Sequence, residues 1–134
     1  MSYARQLLDT CPGTVGVDRG VLAAAIDALS DCGQACIADV HADLSEQSVT
    51  EMVACIRLCL DCADVCTATI GVTSRQAFYD ANVNRPLLEA CAAICKSCGD
   101  ECERHANHHE HCRVCEQACR RGELACRGLL EAWK

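Results

Sequence analysis

Fourteen of the fifteen cysteines in this chain recur at helical spacing. Cys55, Cys59, Cys62 and Cys66 step by four, three and four, and Cys91, Cys95, Cys98 and Cys102 repeat those steps. Cys112, Cys115, Cys119 and Cys126 step by three, four and seven, and Cys32 and Cys36 by four. A helix turns ~100° per residue, so each set falls within an arc of roughly 60°. Four helices therefore carry a stripe of thiols where a soluble helix would carry Leu and Ile. Thiolate is a soft ligand that suits Cu(I), Zn(II) and iron–sulfur clusters. Cysteines at i and i+4 can place two sulfurs on either side of one ion, an arrangement that suits Cu(I). Each Cu(I) cancels the charge of one thiolate, so a core of many such pairs stays near neutral and avoids costly buried charge. Zn(II) prefers a tetrahedron of four ligands. Here that would take one sulfur from each helix in a layer, and the first helix supplies only two. Iron–sulfur clusters draw on loop motifs such as C-x₂-C-x₂-C, which this chain lacks.

Nitrogen and thioether groups gather at one end of these stripes. His105 lies three residues after Cys102, His111 lies four before Cys115, and His109 lies four after His105. All three are candidate metal ligands. His41, His108 and Met52, the last three residues before Cys55, belong to the same end. The opposite end holds Leu22, Leu29, Ile70, Leu87, Leu88, Leu129, Leu130 and Trp133. The pattern predicts a tube with a ligand-lined mouth and a closed, apolar base. Cys11 is off register and reads equally well as a lone loop thiol or as a ligand at the base.

The elements that must position these groups follow from local signals. Residues 1–17 form a lead-in ended by Pro12, Gly13 and Gly16, and residues 18–134 form the metal-binding domain. Asp18 is the expected N-cap of a first helix running to about Ala42. Ser48 and Glu51 are placed to form a capping box for the second, with Gly71 as its stop after Ile70. A short helix is expected over Ser74–Ala81. Pro86 reads as the first residue of the third helix, which runs to about Asn107. The fourth follows a His-rich corner and continues to Trp133. Short turns between the first and second helices, and between the third and fourth, give an all-α, antiparallel up-down four-helix bundle with a thiol-lined core.

Composition narrows the function. The 134 residues suffice for one core, and aromatics are only 3%, so cysteine must act as a small apolar filler. A net charge of −7 leaves no basic stripe for nucleic acid. No stretch approaches ~18 continuous apolar residues, which argues against a membrane partner. No basic-then-apolar leader opens the chain, which points to a cytoplasmic location where thiols stay reduced. No Ser–His–Asp set, phosphate loop or dinucleotide fingerprint is present, so no enzymatic activity is expected.

The thiol stripes, the repeated CxxxCxxCxxxC unit and the His-rich corner resemble the bacterial copper storage proteins, in particular their cytosolic branch. The resemblance covers roughly residues 18–134. It implies a four-helix bundle that fills its core with multiple Cu(I) ions held by the fourteen cysteines from Cys32 to Cys126, commonly as a homotetramer. It also implies that mouth histidines and a Met help ions enter. Copper ions are the expected partner, with a copper chaperone or efflux system as a candidate protein partner. Two other readings remain open at this point: a zinc or mixed-metal thiolate buffer, and a thiol redox protein with Cys11 as its reactive group.

Overall fold

A computed structural model describes residues 2–133; Met1 and Lys134, the outermost residues of the two expected segments, lie outside them. Among the described residues there are five α-helices and no strands: α1 (Ala4–Thr10), α2 (Arg19–Leu44), α3 (Val53–Ser74), α4 (Ala81–His105) and α5 (Glu110–Ala132). A 3₁₀ turn, Val49–Glu51, precedes α3. α2 packs on α3 and α5, and α4 packs on α3 and α5, which closes the antiparallel four-helix ring; α1 lies against α2. Among the described residues, α2 alone has the length and composition of a membrane span, but half of that stretch is buried inside the bundle, as in a core helix.

The packing follows a strict alternation of three- and four-residue steps. On α2 it runs Leu22, Ala25, Leu29, Cys32, Cys36, Asp39, Asp43, and every one is buried. On α3 it begins just ahead of the helix and runs Met52, Cys55, Cys59, Cys62, Cys66, Thr69, Thr73, again all buried. On α4 it runs Asn84, Leu88, Cys91, Cys95, Cys98, Cys102, His105, and on α5 Cys112, Cys115, Cys119, Gly122, Cys126, Leu129, Trp133. A seven-residue repeat of this kind imposes a left-handed supercoil that keeps the seam facing inward.

Asp18 caps α2, accepting a hydrogen bond from the Val21 amide at 3.0 Å. Other boundaries differ from expectation. Ser48 makes no side-chain cap; the N-cap of α3 is Met52, whose buried side chain plugs the mouth. α3 passes through Gly71 to Ser74, because buried Thr69 and Thr73 carry its inner stripe on to the base. No helix forms over Ser74–Ala81; the chain turns there, with Phe78 at φ 57°. α4 starts at Ala81, capped by Asp80 accepting from the Asn82 amide at 2.9 Å, so Pro86 lies inside it. That extra turn brings Asn84 into the base. α4 ends at His105 rather than Asn107.

The base closes with Leu22, Leu29, Leu88 and Leu129 fully buried and Trp133 against Tyr79, ring centroids 5.0 Å apart. Ile70 and Leu130 pack on its outside. The helices also leave an apolar strip facing solvent on the α2–α3 hairpin: Ile37, Leu44, Val53 and Leu60 are all exposed.

Candidate metal centre

Aligning the four stripes across the antiparallel bundle stacks the inward residues in tiers. The mouth tier joins Asp43, Met52, His105 and Cys112. Below it lie Asp39, Cys55, Cys102 and Cys115, and then Cys36, Cys59, Cys98 and Cys119. Next come Cys32, Cys62, Cys95 and Gly122, followed by Leu29, Cys66, Cys91 and Cys126. The last two tiers are Ala25, Thr69, Leu88, Leu129 and then Leu22, Thr73, Asn84, Trp133. Sulfur-to-sulfur distances within and between tiers agree with this register. Cys59 is 3.5 Å from Cys98, Cys32 is 3.7 Å from Cys62, Cys36 is 3.8 Å from Cys119, and Cys66 is 4.0 Å from Cys91. All fourteen striped cysteines are buried and all are free thiols. A disulfide needs ~2.05 Å between sulfurs; spacings of 3.5 to 4.0 Å instead suit sulfurs that share an ion.

One position in the stripes is filled by glycine for a visible reason. A Cβ at Gly122 would sit 3.0 Å from the Cys95 sulfur and 3.4 Å from that of Cys32. Its absence leaves room for three sulfurs in a tier that a fourth side chain would crowd.

The sequence reading missed the carboxylates. Asp39 Oδ2 lies 3.6 Å from the sulfurs of Cys55 and Cys59 and 3.7 Å from that of Cys102. Asp43 Oδ1 lies 3.7 Å from the Cys112 sulfur. A signal was present: Cys32, Cys36, Asp39 and Asp43 step by four, three and four, the same unit as the four-cysteine stripes. Aspartate stands where the first bundle helix would complete that unit. Burial pushes Asp39 up to about 6, and burial together with the nearby Asp39 pushes Asp43 up to about 8.

The histidines divide. His111 bonds Asp39 Oδ1 through Nδ1 at 2.6 Å and Glu46 through Nε2 at 3.1 Å. Partial burial opposes its charge, but these bonds outweigh it and raise its pKa. His105 bonds Glu101 at 2.9 Å. His109 caps α5, lies 3.5 Å from Glu46, and has its ring 5.4 Å from that of His111. His41 and His108 face solvent, and Cys11 is exposed at the end of α1, far from register with the stripes. A hollow of ≈ 240 Å³ between α2 and α5 is lined by Asp39, His111 and Cys115, among others.

The thiols are strongly interdependent. Hydrogen bonds to neighbouring thiols, with burial, push Cys36, Cys95 and Cys102 far above the ordinary thiol range. Hydrogen bonds with their neighbouring thiols, Cys119 first for Cys32 and Cys102 first for Cys98, draw those two below it. A few thiolates can therefore be shared through hydrogen bonds, while removing every proton from this dry core requires cations in their place.

Such a core, closed at one end and dense in soft donors, defines a helical-bundle metal-thiolate protein. The chain matches the copper storage protein family over residues 19–131 and belongs to it. It superposes on Ccsp, the copper storage protein of Streptomyces lividans loaded with 10 copper equivalents, with a TM-score of 0.94 and 53% identity, covering 96% of this chain and 98% of that one. A second structure of that cytosolic protein, with five coppers, matches at TM-score 0.86 and 54% identity over 90% of this chain and 100% of that one. The uncharacterized cysteine-rich protein YhjQ of Bacillus subtilis is 35% identical over 79% of this chain and 93% of its own length.

Proposed function

We propose that this protein is a cytosolic Cu(I) store. The observation that carries the proposal is the continuous column of fourteen buried free thiols. Each sulfur lies within about one ion's span of its neighbours, and the column is plugged by leucine at one end and flanked by imidazoles at the other. The fourteen cysteines from Cys32 to Cys126 are the ligands. His105, His109 and His111 take up ions at the mouth and pass them inward. No residue is assigned a catalytic role, and copper is cargo. The copper-loaded cytosolic relative supports this reading. A copper chaperone or efflux system exchanges ions at the mouth. The protein assembles as a homotetramer, for which the exposed Ile37, Leu44, Val53 and Leu60 provide apolar surface.

Anaerobic titration of the reduced, metal-free protein with Cu(I) against a competing chelator tests the store. Roughly one ion per thiol is expected, with proton release on loading and weaker uptake at low pH. Saturation after one or two ions would sink the proposal. A triple variant, His105→Ala, His109→Ala and His111→Ala, is expected to slow Cu(I) uptake in stopped-flow on the order of tenfold and leave capacity unchanged. An unchanged rate would remove the histidines from the uptake route.

A further inference from the structure

We propose that Asp39, Cys55, Cys59 and Cys102 form a tetrahedral site for one divalent ion of the Zn(II) class, distinct in chemistry from the all-sulfur tiers below it. The four donor atoms lie within 4.8 Å of one another and all four residues are buried. Four of the six edges between these donors have the lengths of a tetrahedral site. With metal–sulfur bonds of ~2.3 Å and metal–oxygen bonds of ~2.1 Å, a tetrahedral ion has oxygen–sulfur edges of roughly 3.6 Å and sulfur–sulfur edges of roughly 3.8 Å. Asp39 Oδ2 meets its three sulfurs at 3.6, 3.6 and 3.7 Å, and Cys55 and Cys102 are 3.9 Å apart. In the metal-free protein these contacts are hydrogen bonds that the three thiols donate to Oδ2, so the donors already converge on the position an ion would take once the thiols lose their protons.

The carboxylate is also oriented. His111 holds Oδ1 at 2.6 Å, which leaves Oδ2 turned toward the three thiols. A hydrogen bond that fixes the far atom of a ligating group is how protein metal sites aim their donors. The donor set then selects the ion. A carboxylate oxygen is a hard ligand that a soft monovalent ion uses poorly, and a borderline divalent ion accepts oxygen and sulfur together. The same reasoning does not extend to Cys36, Cys98 and Cys119, whose sulfurs pair with other sulfurs. The hollow between α2 and α5 leads to Asp39 from the side.

Co(II) is the probe, because tetrahedral thiolate-bound Co(II) has intense visible d–d bands and a near-ultraviolet charge-transfer band. Anaerobic titration of the reduced, full-length protein is expected to give one equivalent with both bands, displaced by Zn(II). Asp39→Ala and Cys55→Ser should each weaken that first equivalent at least tenfold, with unchanged helical circular dichroism, whereas Cys126→Ser, near the base, should leave it intact. The proposal is overturned if the wild-type protein shows no tetrahedral bands. It is also overturned if both mouth variants keep wild-type affinity and spectrum, or if Cys126→Ser abolishes the bands as completely as they do. Either mouth variant that folds is sufficient for the test. Cu(I) titration of the same preparation separates this inference from the storage reading: loss of Cu(I) uptake with Co(II) binding retained sinks the store alone, and the reverse sinks the divalent site alone.

Discussion

Leu88→Ala is expected to lower the stability of the reduced, metal-free protein by about 3 kcal/mol, while Cys59→Ala costs only about 1 kcal/mol. Both side chains are fully buried. The difference lies in what each removes. Leu88 shares its tier with Ala25, Thr69 and Leu129, and truncating it leaves a cavity that the small Ala25 and the branched Thr69 cannot fill. A thiol removes one atom from a column whose members touch at 3.5 Å or more. The metal-free bundle therefore stands on its base, on Leu22, Leu29, Leu88, Leu129 and Trp133, and the sulfur column above is free to trade protons for ions without unfolding. Chemical denaturation followed by helical circular dichroism measures both variants. Equal costs would show that the thiol tiers also anchor the metal-free fold. Loading with Cu(I) should mask much of the Leu88→Ala defect, since an ion bound only by the native state adds its binding free energy to stability.

The fold was legible because one chemical feature carried both period and direction. The cysteine steps fixed the helical phase of all four bundle helices, and the short turns at residues 45–52 and 106–109 fixed their antiparallel order. Boundaries were less legible, because tertiary burial overrode local signals. Gly71 looks like a stop, yet Thr69 and Thr73 are needed to fill the inner face below the sulfurs, and α3 continues past it. Pro86 looks like a first residue. Asp80 supplies a real cap one turn and more earlier, and the only helical bond Pro86 forfeits lies close to the helix start. Ser48 and Glu51 match a capping box in spacing, but Met52 takes the N-cap position of α3 because its side chain is needed in the mouth. The carboxylates were missed for a different reason. By residue type the first bundle helix is two cysteines short; by the four-three-four step it is complete, with Asp39 and Asp43 in the last two places. Spacing was the stronger signal, and residue type obscured it. The histidines show the converse: clustering at residues 105–111 was visible, but only the helix ends decide that His105, His109 and His111 turn inward while His108 turns out.

Stability of the metal-free protein is expected to fall as pH rises from about 5 to about 7.5, opposite to the behaviour of a protein held by carboxylate salt bridges. Asp39 titrates near 6 and Asp43 near 8 in the folded chain, both raised first of all by burial. An unfolded aspartate titrates at ~3.9. Over the interval between, the native state binds more protons than the unfolded one, so the free energy of unfolding declines with pH. The contribution is complete below about pH 4 and is lost progressively upward. His111 acts in the same sense, because its pKa is raised in the folded state and its stabilising charge disappears as pH climbs through that value. The Asp39–His111 pair shares at least one proton across their 2.6 Å bond, and the sign of the slope is the same whichever atom holds it. The unpartnered Oδ2 of Asp43 fits a carboxyl that stays protonated while no ion is bound. A shift of the size shown by Asp39 alone corresponds to on the order of 2 kcal/mol across the window. Denaturant midpoints of the reduced protein at about pH 5 and about pH 7.5 measure the slope, and Asp43→Asn should flatten it. A midpoint that rises with pH would mean that these carboxylates are ionised and paired in the metal-free state. The mouth would then present fixed negative charge to an arriving cation instead of exchanging a proton for it.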